Sequence, residues 1–277
     1  MKLRLPVILV VLASCTEASP PPERRVNPTI VSLNPCSDAV LAEVADPAQL
    51  LAISRYSHDP ASTSMDVAFA RQFRTVSGSA EEVLALRPDI VVAGTFFPAT
   101  TRTALERQGI RVELVPIATS IAESKAQVAR LAKLAGNDNA GTALNAEIEA
   151  ALARAAPLRT DSPMSAVVWQ AGGIVPGEGT LIADILHRTG FANFSAARGL
   201  KQADFLPLEE MLADPPEVIL AAGNSRANED RLLSHPALGY LLDTRRERLD
   251  PSLLWCGGRT IIRAARRLRQ VREGLRS

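Results

Sequence analysis

Short apolar runs alternate with helix-patterned stretches along most of this chain. Residues 29–33, 89–93, 165–169 and 217–221 are each nearly continuous in aliphatic side chains. Such runs predict strands buried on both faces of a parallel sheet. The strand at 29–33 leads through the loop Asn34–Asp38 into a helix over 39–44. The strand at 165–169 leads through a glycine-rich loop into a helix over 181–189. Strands and helices then alternate, which predicts α/β layers. Between the two halves, Val128, Leu131, Ala132, Leu134 and Ala135 recur at helical spacing. That stretch, 121–157, reads as one long bridging helix with a kink at Gly136. Two ordinary helices are the alternative.

The chain also repeats itself. Residues 81–93 and 209–221 agree at the glutamate pairs Glu81/Glu209 and Glu82/Glu210, and at Leu84/Leu212, Ala85/Ala213, Pro88/Pro216 and Ala93/Ala221. Each copy opens a helix with carboxylates, which suit the positive end of the helix dipole. In the first copy Ser79 can cap, with Glu82 three residues on. The proline ends the helix, because the residue before it avoids the α region. A buried strand follows. One module written twice predicts two Rossmann-like α/β lobes with parallel sheets and a cleft between them. The lobes cover 26–120 and 158–277.

The N-terminus has a different pattern. Lys2 and Arg4 precede a short apolar run, then Leu12, Ala13, Ser14 and Cys15. This reads as an export signal over 1–15, too short for a bilayer of about 30 Å. It is similar to a bacterial lipobox, with Cys15 as the lipidated residue and 16–25 as a tether. An ordinary cleaved signal is the alternative. Export means an oxidising compartment, where Cys36 and Cys256 can pair, stay buried as thiols, or face a ligand. The net charge of +1 gives no overall field toward nucleic acid. The arginines of the last helix, from Arg263 to Arg272, fall on a solvated face of an amphipathic helix.

Taken together, Ile30–Asp38, Ala52–Pro60, Glu81–Val92, Gly109–Val112, Leu206–Leu212 and Cys256–Arg259 resemble the periplasmic binding proteins for cobalamin, ferric siderophores and haem. The resemblance runs over roughly 26–271. It implies two lobes joined by one long helix and a ligand held between them. It also implies delivery to an ABC permease with its ATPase, and a monomer outside the cytoplasm held to the membrane only by its lipid. The expected cargo is a metal chelate, a cobalamin-like corrinoid or a ferric siderophore. No cofactor is expected.

The loops at the carboxyl ends of the strands should line the cleft, as in open α/β sheets generally. Asn34, Cys36, Tyr56, His58, Phe96, Trp169, Trp255 and Arg259 are therefore the candidate ligand contacts. Tyr56 matches a ligand-contacting tyrosine of the B12 binders. The tryptophans offer flat apolar faces to a macrocycle. Arg259, with Arg55, suits an anionic chelate. Where the B12 binders carry a cleft tryptophan, this chain has Val76, Ser77 and Gly78. Glu81 and Glu209 match the exposed glutamates, one per lobe, that meet permease arginines.

Other functions fit less well. The chain has no P-loop and no dinucleotide-binding glycine spacing. Three scattered histidines suit neither a catalytic triad nor a bare zinc or manganese site. The expectation is a binding protein, not an enzyme.

Overall fold

In the computed structural model, which describes residues 27–223, 233 and 235–275, the chain forms two α/β lobes. The first contains β1 (Ile30–Ser32), α1 (Pro35–Val44), β2 (Leu50–Ser54), α2 (Val67–Ala70), β3 (Thr75–Val76), α3 (Ala80–Leu86), β4 (Ile90–Gly94), α4 (Ala99–Arg107) and β5 (Arg111–Val115). Its sheet runs β3-β2-β1-β4-β5 and is parallel throughout. The second lobe contains β6 (Met164–Gln170), β7 (Ile174–Val175), α7 (Leu181–Arg188), β8 (Phe191–Asn193), β9 (Asp204–Phe205), α8 (Leu208–Ala213), β10 (Val218–Ala222), β11 (Arg245–Leu249) and α9 (Arg259–Gly274). Its main sheet runs β11-β10-β6-β8, again parallel.

The duplication is visible in the strand order. β1 lies between β2 and β4, and β6 lies between β8 and β10. The repeated segment is α3–β4 in one lobe and α8–β10 in the other. In each, the strand takes the same place beside the first strand of its lobe.

The stretch read as one bridging helix is two. α5 (Ile121–Leu134) and α6 (Asp138–Ala155) form an antiparallel hairpin. Lys125 meets Glu149 at 2.5 Å, while a Cβ on Gly141 would fall 2.5 Å from that of Ala132. Gly136 turns the chain at φ +72°, and Asn137 caps α6 through Ala140 N. The left-handed glycine and the Asn cap are stop and start signals, which is why the kink reading fails. α6 alone makes the bridge. At 18 residues it is about 27 Å long.

Strand alternation divides the core into layers. Ile30, Val92, Ala166, Val168 and Leu220 share one core with α1, α5, α6 and α9, and it is continuous from lobe to lobe. Val31, Val91 and Leu105 form a separate layer under the outer helices of the first lobe. Val167, Trp169, Met211 and Ile219 do the same in the second. The lobes are therefore joined by packed side chains as well as by backbone. Among the described residues, no helix is long and apolar enough to cross a membrane.

Candidate functional site

Strand ends of the first lobe build one wall of the cleft. After β1, Asn34 Oδ1 accepts from Cys36 N (2.9 Å) and Ser37 N (3.2 Å), starting α1. After β2, Ser54 caps a turn over Arg55–His58. This turn exposes Tyr56, with the Arg55 guanidinium 5.1 Å from its ring centroid. After β4, Phe96 stands 89% exposed. After β5 come Pro116 and the exposed Ile117.

The second lobe contributes Trp255, Cys256 and Gly257. With Asn34, Cys36, Phe96 and Ile117 they enclose a cavity of ≈ 100 Å³. Gly257 packs against the first turn of α5, where a Cβ would fall 2.0 Å from Ser124 Oγ. Gly258 N donates to the same oxygen at 2.9 Å. Trp255 remains 37% exposed.

Two apolar groups on this lobe escaped the sequence reading. Ile174 and Phe205 pair directly across the small antiparallel β7–β9 ribbon, just after the carboxyl end of β6, and both are exposed. Gly173 permits the approach at φ +83°, since a Cβ there would lie 2.6 Å from the Phe205 ring. The glycine-rich loop was the available signal. The pairing of Ile174 with Phe205, far along the chain, was not.

Several expected contacts lie elsewhere. Trp169 is fully buried in the second-lobe core, because its strand is covered on both faces. It is a packing residue and does not reach the cleft. His58 spends Nε2 on the Ala70 carbonyl at 3.0 Å, tying the Tyr56 turn to α2. Arg259 pairs with Glu43 of α1 at 2.7 Å and with Glu147 of α6 at 3.3 Å. Glu43 beside it raises the guanidinium pKa further. It is a clamp between elements, already neutralised, and not an anion receptor. Cys36 and Cys256 are joined in a disulfide, S–S 2.11 Å, so neither offers a thiol to a metal.

Beneath the Tyr56 turn lies a buried carboxyl. Asp38 Oδ2 accepts from Ser57 Oγ (2.6 Å) and Ser54 N (2.9 Å), and Oδ1 has no partner. Burial pushes its pKa up to about 7, against the hydrogen bonds from Ser57 and the Ser54 backbone that lower it. Asp38 thereby fixes the turn that displays Tyr56. Its spacing from Ser54 and Ser57 carried no recognisable motif.

Glu81 and Glu209 occupy matching places, exposed in the first turns of α3 and α8. Each helix precedes a parallel strand, so its N-terminus lies at the cleft end of its lobe. The free Glu81 backbone N–H, helped by the Ser79 hydroxyl, holds the Glu81 carboxyl below its usual pKa. Cys15 lies outside the described residues, as do residues 224–226 beyond the carboxyl end of β10. Among the described residues, no group of three or more His, Cys, Asp or Glu is placed to hold a metal ion.

Known proteins share this architecture. The periplasmic haem-binding protein HutB of Vibrio cholerae superposes with TM-score 0.71 at 18% identity, covering 88% of this chain and 98% of that one. The periplasmic vitamin B12-binding protein BtuF of Vibrio cholerae gives 0.66 at 15%, covering 91% and 98%. At these identities the likeness is one of fold. By sequence, a cobalamin-binding protein of Halobacterium salinarum is 29% identical over 197 residues, which are 69% of this chain and 53% of that protein. The chain thus spans about half the length of the curated relatives it matches. The sequence model described as "Periplasmic binding protein" matches residues 30–241, from the first strand of one lobe into the last third of the other, and on that match the chain belongs to the periplasmic binding protein family.

Proposed function

We propose that this protein is the extracytoplasmic solute-binding component of an ABC importer, and that its cargo is a metal chelate with an apolar face, a corrinoid in the first instance. Family membership implies the location and a binding role without chemistry of its own. One observation supports the choice of cargo: both lobes carry exposed apolar side chains beyond their strand ends. Tyr56, Phe96 and Ile117 stand in the first and Ile174, Phe205 and Trp255 in the second, and of these Phe96, Ile117 and Trp255 line the cavity. Leaving six such groups in water is unfavourable unless a ligand covers them. The cavity of ≈ 100 Å³ is smaller than the roughly 300 Å³ that encloses a drug-sized ligand. A macrocycle would therefore rest on the rims, with one substituent in the cavity.

The same arrangement argues against a bare metal ion, since the donors around the cleft are few. It also weighs a corrinoid above an anionic ferric siderophore, because Arg259 is already paired. The name of the Halobacterium relative points the same way. Delivery would use Glu81 and Glu209 as one charge per lobe against a two-fold permease.

Calorimetric titration with cobalamin, haem, ferric siderophores and Zn²⁺ tests the cargo. Saturable binding of cobalamin at one per chain supports the reading, and binding of Zn²⁺ alone overturns it.

A further inference from the structure

The cleft cavity ends at Gly257. Beyond it, the outer face of α9 lines two adjoining depressions of ≈ 600 and ≈ 490 Å³. The first is closed by Ser64, Asp66 and Phe69 of the first lobe, and the second by Arg248, Asp250 and Leu253 of the second lobe. Arg263 and Arg266 line both, so the depressions form one groove along the seam between lobes.

The charge in this groove is unbalanced. The second depression is lined by Arg248, Arg263, Arg266 and Arg267 against the single carboxylate of Asp250. Asp250 is itself occupied, with Oδ1 accepting from Ser252 N at 2.9 Å. Arg267 is neutralised by Glu247 at 2.8 Å. Arg263 is fixed but not neutralised: Nη1 donates across the seam to the Ser64 carbonyl (2.7 Å), and Nη2 to Ser252 Oγ of its own lobe (3.2 Å). Arg248 and Arg266 are exposed and have no ion pair among the described residues. Like charges gathered in one depression repel each other and attract an anion. A guanidinium held by neutral partners is ready to receive one without loss of further side-chain freedom.

We propose that this groove is a second ligand site, which takes a phosphate group through Arg248 and Arg266 with Arg263 as its fixed floor. A phosphate oxyanion has acceptors in several directions, and guanidinium forks match it in paired hydrogen bonds. A singly charged carboxylate would leave much of the groove's charge uncompensated. The site is separate from the cleft, because Arg248, Arg263 and Arg266 do not line the cleft cavity. Its phosphate binding does not depend on which cargo the cleft carries. The phosphate can come free in solution or on the headgroup of an anionic lipid.

The test titrates the full chain with inorganic pyrophosphate by calorimetry, and in a second arm with phosphatidylglycerol vesicles against phosphatidylcholine vesicles. Both arms are repeated with Arg248→Gln/Arg266→Gln. The two side chains are exposed, and an unchanged thermal melt confirms the fold; the single variant Arg266→Gln serves if the double variant melts early. We expect saturable binding that weakens about tenfold or more in the variant, as the loss of a charge-assisted hydrogen bond implies. Loss in the pyrophosphate arm assigns a free phosphate. Loss confined to the phosphatidylglycerol arm assigns a lipid headgroup. Binding equal in wild type and variant, or no binding in either arm, overturns the proposal.

Discussion

Cys36 and Cys256 form a covalent bond across the seam, linking the first turn of α1 to the residues that lead into α9, 220 positions away. Around it, Gly258 is bonded to Ser124 and Arg259 to Glu43 and Glu147. These ties act together with α6 and the continuous core. They predict lobes that move little on binding, unlike a body hinged on extended strands alone.

Replacing both cysteines by serine should lower stability by roughly 2–5 kcal/mol, since the closed loop is long. Chemical denaturation of oxidised and variant protein measures this. Small-angle scattering should show the variant no more than slightly expanded, because α6 and the shared core remain.

The Asp38 carboxyl predicts a pH dependence. Its pKa is about 7 in the folded chain against 3.8 for the free group, so the folded state holds the proton more tightly. Its contribution is fully present below about pH 4 and is lost as pH rises through about 7. Between pH 5 and 7.5 the wild-type melting temperature should fall, by an amount on the order of a few kcal/mol in free energy. Asp38→Asn should flatten that slope. An equal slope in both proteins would remove Asp38 as its source.

Arg259→Ala separates clamp from ligand contact. The side chain is about half exposed, so its loss should cost no more than about 1 kcal/mol. Cargo affinity should stay within about twofold, a difference under 0.5 kcal/mol. A large loss of affinity with unchanged stability would restore Arg259 to the binding site.

Charge reversal tests the docking proposal. Glu81→Lys/Glu209→Lys should leave cargo binding intact, because both residues lie outside the cleft cavity. Uptake through the cognate importer should fall steeply. Undiminished uptake would exclude a docking role for the pair.

Local signals carried most of the architecture. The repeat at 81–93 and 209–221 foretold two equivalent lobes, because each copy contains its own helix stop and buried strand. Gly136 and Asn137 were equally visible, but a kink and a helix hairpin share that signature until packing such as Gly141 on Ala132 is known. The site was less legible. Arg259 could not be recognised as neutralised, since Glu43 and Glu147 are distant in sequence. Trp169 sits at the end of an apolar strand, and only the second covered face distinguishes core from cleft. Tyr56, Phe96 and Trp255 are exposed near strand ends, where the open-sheet rule placed them.

Tryptophan emission during chelate titration is the most direct measurement. Trp255 lines the cleft cavity and Trp169 is buried, so contact quenching by a cleft ligand falls on Trp255. Cobalamin, haem or a ferric siderophore should quench to saturation at one per chain. The quench should shrink in Trp255→Phe, where only the buried Trp169 still emits, and affinity should drop about tenfold or more in Tyr56→Ala/Phe96→Ala. Chelate binding with unchanged affinity in the double variant, or no binding of any of the three, would show that the groove between the twin lobes is not where cargo sits.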